Sequence, residues 1–185
     1  MTEKPKNLSS KTLNMVYISL FVALMAICSW IAIPTVVPFT LQTFAIFLAV
    51  GLLGGKRGTI AVIVYLLLGF IGLPIFAGFR GGLGVIVGPD GGFLIGFIFT
   101  ALVMWLIFKL FGKGTVSIVV AMVLGLIACY AVGTVWFMTI YAGGTGEAGL
   151  MAALTACVFP FIIPDIIKIA AAVVVCKRLG KYVKD

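Results

Sequence analysis

From Leu13 to Ile33 the sequence runs through 21 residues without a charge, about the ~20 apolar residues a helix needs to cross a ~30 Å hydrocarbon layer. Five more apolar runs follow, at 40–53, 59–72, 93–111, 115–141 and 150–176, parted by glycine and proline breaks. The 185 residues are 63% hydrophobic and only 10% charged, where soluble domains carry about 25% charged residues. A soluble fold of this size has no core large enough to hide so much apolar surface, so lipid must cover it. The pattern predicts an all-α integral membrane protein: one domain, built as a bundle of six transmembrane helices. The first run follows a basic leader (Lys4, Lys6, Lys11) as a signal peptide would. Its length, its lack of a small-x-small cleavage site and the membrane sequence behind it mark it as retained.

Two runs depart from the simple pattern. The second and third are short for full spans, which predicts a tight hairpin or helices buried against neighbours. The last is too long, since its 27 residues would extend ~40 Å at 1.5 Å each. Pro160 and Pro164 should break it, leaving a crossing helix from about Phe161 behind a short helical or irregular piece.

Charge sets the orientation. Eleven cations (the leader, Lys56, Arg57, Lys109, Lys113, and Lys177, Arg178, Lys181 and Lys184 in the tail) fall on one side, and the opposite loops share only Arg80. By the positive-inside rule both termini, the leader at 1–11 and the tail at 177–185, are cytoplasmic. The net charge of +8 therefore reflects topology and contact with the lipid bilayer; with no basic soluble face, nucleic acid is not an expected partner. Cys28, Cys129, Cys157 and Cys176 are scattered, and histidine is absent. The scattered cysteines argue against a disulfide framework or a metal centre, the absence of histidine removes histidine metal sites and proton relays, and no cofactor is expected. No Walker A spacing occurs, so any ATP must be bound by another subunit.

The long outer loop at 73–92 belongs to a glycine-rich stretch, FAGFRGGLGVIVGPDGGFLIG (76–96), that holds eight glycines around Arg80 and Asp90. It is too apolar for disorder, and its glycines suit close backbone approach. It reads as a compact lid over the outer mouth of the bundle. Gly82-x-Gly84 follows an apolar helix rather than a strand, which argues against a nucleotide site. Gly92-x-x-x-Gly96 reads as close helix packing.

Chemistry concentrates in FPFIIPDIIKIAAA (159–172). Asp165 and Lys168, three apart, share one helix face. Counted back from Lys177, Lys168 lies ~13 Å and Asp165 ~18 Å inside the cytoplasmic end. Each such charge costs ~2.5–3.5 kcal/mol at mid-membrane, and a buried ion pair seldom outdoes apolar replacements. The bland alternative is a salt bridge that fixes helix packing; the sharper one is a polar binding pocket. Its other walls would come from the outward ends: Trp30, Phe39, Thr40, Gln42, Phe79, Arg80 and Tyr141. Thr40 and Gln42 could instead cap the second helix. Two cations and one acid suit a small amphipathic molecule with an anionic group. No nucleophile stands beside a base, so the chain is not expected to be an enzyme. A proton-coupled carrier for a small organic anion, working alone, is the alternative reading.

Three segments, VPFTLQTFAIFLAVGLLGGKRG (37–58), YLLLGFIGLPIFAGFRGGLGVIVGPDGGFLIGF (65–97) and FPFIIPDIIKIA (159–170), resemble the biotin-specific S-components (BioY) of energy-coupling factor (ECF) transporters, in order and spacing. The resemblance implies a six-helix subunit in a bacterial cell membrane that captures biotin from outside. It also implies a transmembrane coupling subunit and two cytoplasmic ATPase subunits as partners, and transport by toppling of the S-component. Asp165 and Lys168 match the polar pair that contacts the biotin head group. Asp165 is thereby expected to accept from a ureido N–H, with Lys168 and Arg80 dividing the ureido oxygen and the valerate carboxylate in either order. Where the family reads GPTGGY, this chain has Asp90 and Phe93. Ser19-x3-Ala23 with Ala26 stands where the family presents small residues to the coupling subunit, although ordinary helix packing explains these three equally well. Biotin and its precursor dethiobiotin are both compatible with these features.

Overall fold

A computed structural model describes residues 10–140 and 147–183. The order is α1 (Ser10–Trp30), β1 (Ala32–Ile33), β2 (Phe39–Thr40), α2 (Gln42–Leu53), α3 (Gly55–Phe70), α4 (Gly91–Phe111), α5 (Thr115–Ile140), α6 (Glu147–Cys157) and α7 (Phe159–Leu179). Two 3-10 turns, Ala77–Phe79 and Leu83–Val85, lie between α3 and α4.

Four segments are long and apolar enough to cross a membrane: Lys11–Trp30, Gly91–Phe111, Thr115–Ile140 and Gly149–Leu179. Their outward faces carry large exposed side chains such as Leu20, Leu106, Val135, Ile163 and Ile167. These have no protein partner to cover them, as lipid-facing positions should not. Helices dominate because a backbone in lipid must satisfy its polar groups within its own segment.

Two expectations change. The all-α reading gains a small antiparallel hairpin, with Ala32 opposite Thr40 and Ile33 opposite Phe39. Pro34 and Pro38 explain it, because the residue before a proline is pushed toward extended backbone; the run at 13–33 accordingly leaves the helix after Trp30. The last run divides into a short helix and a long one as expected, but at a different point, and seven helices are present among the described residues. The break falls at Val158, ahead of both prolines. Pro160 sits in the first turn of α7, where its missing N–H leaves nothing unpaired, and Pro164 is carried inside the helix.

At the centre stands α2, packed against α1, α3, α4, α5 and α7. Gln42 and every residue from Ala45 to Leu53 are buried, which explains a helix too short to span: its neighbours, not lipid, surround it. A single residue, Gly54, turns the chain into α3. α4 and α5 lie closely side by side, Thr100 Oγ1 donating to the Gly125 carbonyl at 2.9 Å. A Cβ on Gly92 would overlap Trp136, and one on Gly96 would press on Cys129, so the small pair lets two helices touch.

The segment 71–90 folds back onto the bundle. Phe76 is fully buried there, edge-on to Tyr65 with ring centroids 5.6 Å apart. It fits only because Gly69 has no side chain; a Cβ there would overlap the ring. The Gly82 amide donates to the Gly69 carbonyl at 2.8 Å, stitching the lid to the end of α3.

Candidate functional site: a buried Asp–Lys pair beneath the lid

The charges of α7 turn inward. Asp165 is 2% exposed and Lys168 6%, and Lys168 Nζ donates to Asp165 Oδ1 at 2.8 Å. Thr43, in the first turn of α2, bridges the pair. Its Oγ1 donates to Asp165 Oδ1 at 3.3 Å and accepts from Lys168 Nζ at 3.2 Å. From α5, the Tyr130 hydroxyl donates to Asp165 Oδ2 at 2.5 Å. The ammonium also lies over the Phe39 ring, 4.2 Å from its centroid, and Phe39 leans on Phe161 at 5.7 Å.

A carboxylate offers about four acceptor positions and an ammonium three donors. Three of the former are filled and two of the latter, so each group keeps one position open. Both residues line a cavity of about 50 Å³ together with Val37, Pro38, Thr40, Gln42, Thr43, Asp90, Phe93, Phe97, Tyr130 and Phe161. That volume holds a few waters, whereas sites for small organic molecules run to ~300 Å³ or more. A ligand of that size must move a wall, and the lid and the hairpin are the walls not built from α-helices.

A second polar chain ties the cavity to the lid. Thr40 Oγ1 accepts from the Gln42 amide at 3.2 Å and donates to Gln42 Oε1 at 2.9 Å, although the cap position of α2 is Leu41, which makes no side-chain capping bond. Gln42 Nε2 donates to the Tyr65 hydroxyl at 2.6 Å. That hydroxyl donates to the lid carbonyl of Ile75 at 2.9 Å, and Ser29 of α1 donates to the same carbonyl at 2.6 Å.

The expected site residues divide into groups. Asp165, Lys168, Gln42, Thr40 and Phe39 come together. Trp30 and Phe79 do not line the cavity; they stack on each other at the outer surface, centroids 5.0 Å apart, and Trp30 Nε1 donates to the Pro74 carbonyl at 3.0 Å. Phe79 has φ +56, a left-handed backbone that costs a non-glycine residue about 1–2 kcal/mol, and this stacking offsets part of it. Arg80 faces an outer groove with Trp30, Pro34, Thr35, Val36 and Pro38, and its guanidinium is held by Asp90. The cavity thus meets one cation and two acids, the reverse of the expected balance. Tyr141 lies outside the described residues.

On α1, Ser19 and Ala23 are exposed while Ala26 is buried, so only the first two share an outward face. Thr43 and Tyr130 were not singled out from sequence. Thr43 is adjacent to Gln42, and Tyr130 is a lone phenol in a long apolar helix; in both, an isolated hydroxyl inside a hydrophobic run was the available signal.

The BioY family profile matches residues 1–185. The chain belongs to the BioY family. Among relatives, this chain is 42% identical to the Biotin transporter BioY of Thermotoga maritima, covering 88% of this chain and 92% of that one. It is 37% identical to the Probable biotin transporter BioY of Pyrococcus horikoshii, over 88% and 93%. A crystal structure of the S-component for biotin from an ECF-type ABC transporter superposes with a TM-score of 0.82 at 30% identity, covering 97% and 95% of the two chains. The chain is a membrane protein of a transporter family rather than an enzyme family, and its overall helical fold is shared with that S-component.

Proposed function

We propose that this chain is the substrate-binding subunit of an ECF-type ABC transporter and captures biotin from outside the cell for ATP-driven uptake. The match to a biotin S-component over 97% of the chain carries this reading. The buried pair of α7 gives it chemistry. The open acceptor position on Asp165 suits a ureido N–H, and the open donor of Lys168 suits the ureido oxygen. Phe39, Phe93 and Phe161 supply apolar surface for the thiophane ring. On this reading α1 to α5 make five passes and α6 with α7 the sixth, with both termini in the cytoplasm and the lid outside.

The chain contains no Walker A motif, so ATP hydrolysis falls to two cytoplasmic partner subunits joined through a transmembrane coupling subunit. Ser19 and Ala23, exposed on α1, are the side proposed to meet that coupling subunit. The membrane is the cell membrane of the source organism. A solitary proton-coupled carrier is less well supported, since the hydroxyls and ammonium around Asp165 fix its carboxylate in place.

The test is calorimetry on purified, detergent-solubilised protein. Biotin should bind tightly and one-to-one, and Asp165→Asn should weaken it a hundredfold or more, since a buried polar group built to pair discriminates by about that much or beyond. A well-folded wild type that ignores biotin would sink the proposal. Dethiobiotin in the same cell decides whether the sulfur is read at all.

A further inference from the structure

Resting on the biotin reading, we infer that Asp90 is a specificity-determining residue. By occupying the guanidinium of Arg80, it makes capture nearly indifferent to whether the ligand tail ends in a carboxylate or in a neutral amide.

Arg80 is the only cation of the lid segment and would otherwise be the natural receptor for an anionic tail. Its fork is already engaged. Nη2 lies 2.5 Å from Asp90 Oδ2 and Nη1 a looser 3.5 Å from Oδ1, so the carboxylate faces the end of the fork and one prong carries the charge-assisted bond. Nε donates to the Ala77 carbonyl at 2.9 Å. Three of its five N–H groups are thus taken, and a ligand carboxylate seeking Arg80 meets a guanidinium whose charge Asp90 already offsets.

Burial strengthens the competition. The Arg80 side chain is 42% exposed and that of Asp90 only 10%. Asp90 lines the inner cavity, whereas Arg80 lines the outer groove. Seen from the cavity, the lid presents a carboxylate backed by its own counter-ion. Lys168 is matched in the same way by Asp165. The four charges around the cavity and its lid sum to zero, so an incoming anion meets no net attraction. Ligand selection then rests on the head group, and biotin carrying an amide-linked tail belongs to the same substrate class as the free acid.

Calorimetry with biotin and biotinamide on the purified full chain tests this. In the wild type the two affinities should agree within about threefold. Asp90→Asn frees Arg80 and should shift the ratio about tenfold toward the acid, the scale of one recovered charge-assisted bond; Asp90→Ser should do the same. The double variant Arg80→Gln/Asp90→Asn should return the ratio to that of the wild type. A wild-type preference of tens-fold for the acid overturns the inference without any variant. So does an unchanged ratio in both Asp90 variants while both ligands still bind. Absence of binding by either ligand to folded wild type counts instead against the biotin reading itself.

Discussion

The side-chain amide of Gln42 donates to the Tyr65 hydroxyl at 2.6 Å, and through that hydroxyl the floor of the cavity is joined to the lid carbonyl of Ile75. Tyr65 is fully buried, so neither neighbour has water to turn to if the hydroxyl is removed. Tyr65→Phe should cost about 1–3 kcal/mol, the usual penalty for orphaning a buried polar group. Thermal unfolding in detergent should show a fall of several degrees, accompanied by faster biotin release. An unchanged midpoint and unchanged release rate would mean that the lid is not held through this link.

Tyr130 offers a gentler probe of the pocket. Its hydroxyl is one of three groups fixing Asp165, and Tyr130→Phe removes that one while keeping the ring. Biotin affinity should fall about five- to tenfold, in line with 1–1.5 kcal/mol for a single bond. Affinity within twofold of wild type would show that Asp165 needs no help from α5.

The Asp165–Lys168 pair separates stability from function. Lys168→Met strands a buried carboxylate, and breaking such a pair costs about 3–5 kcal/mol. The double change Asp165→Leu/Lys168→Met should unfold at a higher temperature than either single variant, yet bind no biotin. A double variant no more stable than Lys168→Met would indicate that the pair holds the helices together in its own right.

Gly69 marks where the lid touches the bundle. Gly69→Ala sets a methyl group against the Phe76 ring, and overpacking of this kind costs about 1–3 kcal/mol. Phe76 should be pushed outward, loosening the lid. Limited proteolysis within 71–90 should then be faster than in the wild type; equal rates would show that the ring can slide aside.

The exposed face of α1 predicts a split phenotype. Ala23→Trp adds bulk on an exposed face at a residue that does not line the cavity, so biotin binding by the isolated protein should persist. Uptake in cells carrying the coupling and ATPase subunits should fall at least tenfold. Normal uptake would remove Ser19 and Ala23 from the proposed interface.

Sequence alone revealed charges where lipid forbids them, which is why Asp165 and Lys168 stood out within an apolar run. Thr40 and Gln42 were legible because polar residues just after a proline break begin a helix. Tyr130 was not, because a phenol in an apolar run carries no mark of which neighbours its face will meet. The partnership of Arg80 with Asp90 was equally hidden: ten residues apart in an irregular loop, they have no helical or strand period to bring them together on paper. The hairpin of β1 and β2 escaped for a related reason, as strands of two residues are too short to show alternation.

α2 has a consequence for the membrane as a barrier. Its 12 residues rise only ~18 Å, with the polar atoms at the lid end and unbroken buried hydrocarbon from Ala45 to Leu53 beneath them. The site is thus a shallow well with an insulating floor. Solvent or ions that reach Asp165 from the lid end meet no polar path along α2 beyond it.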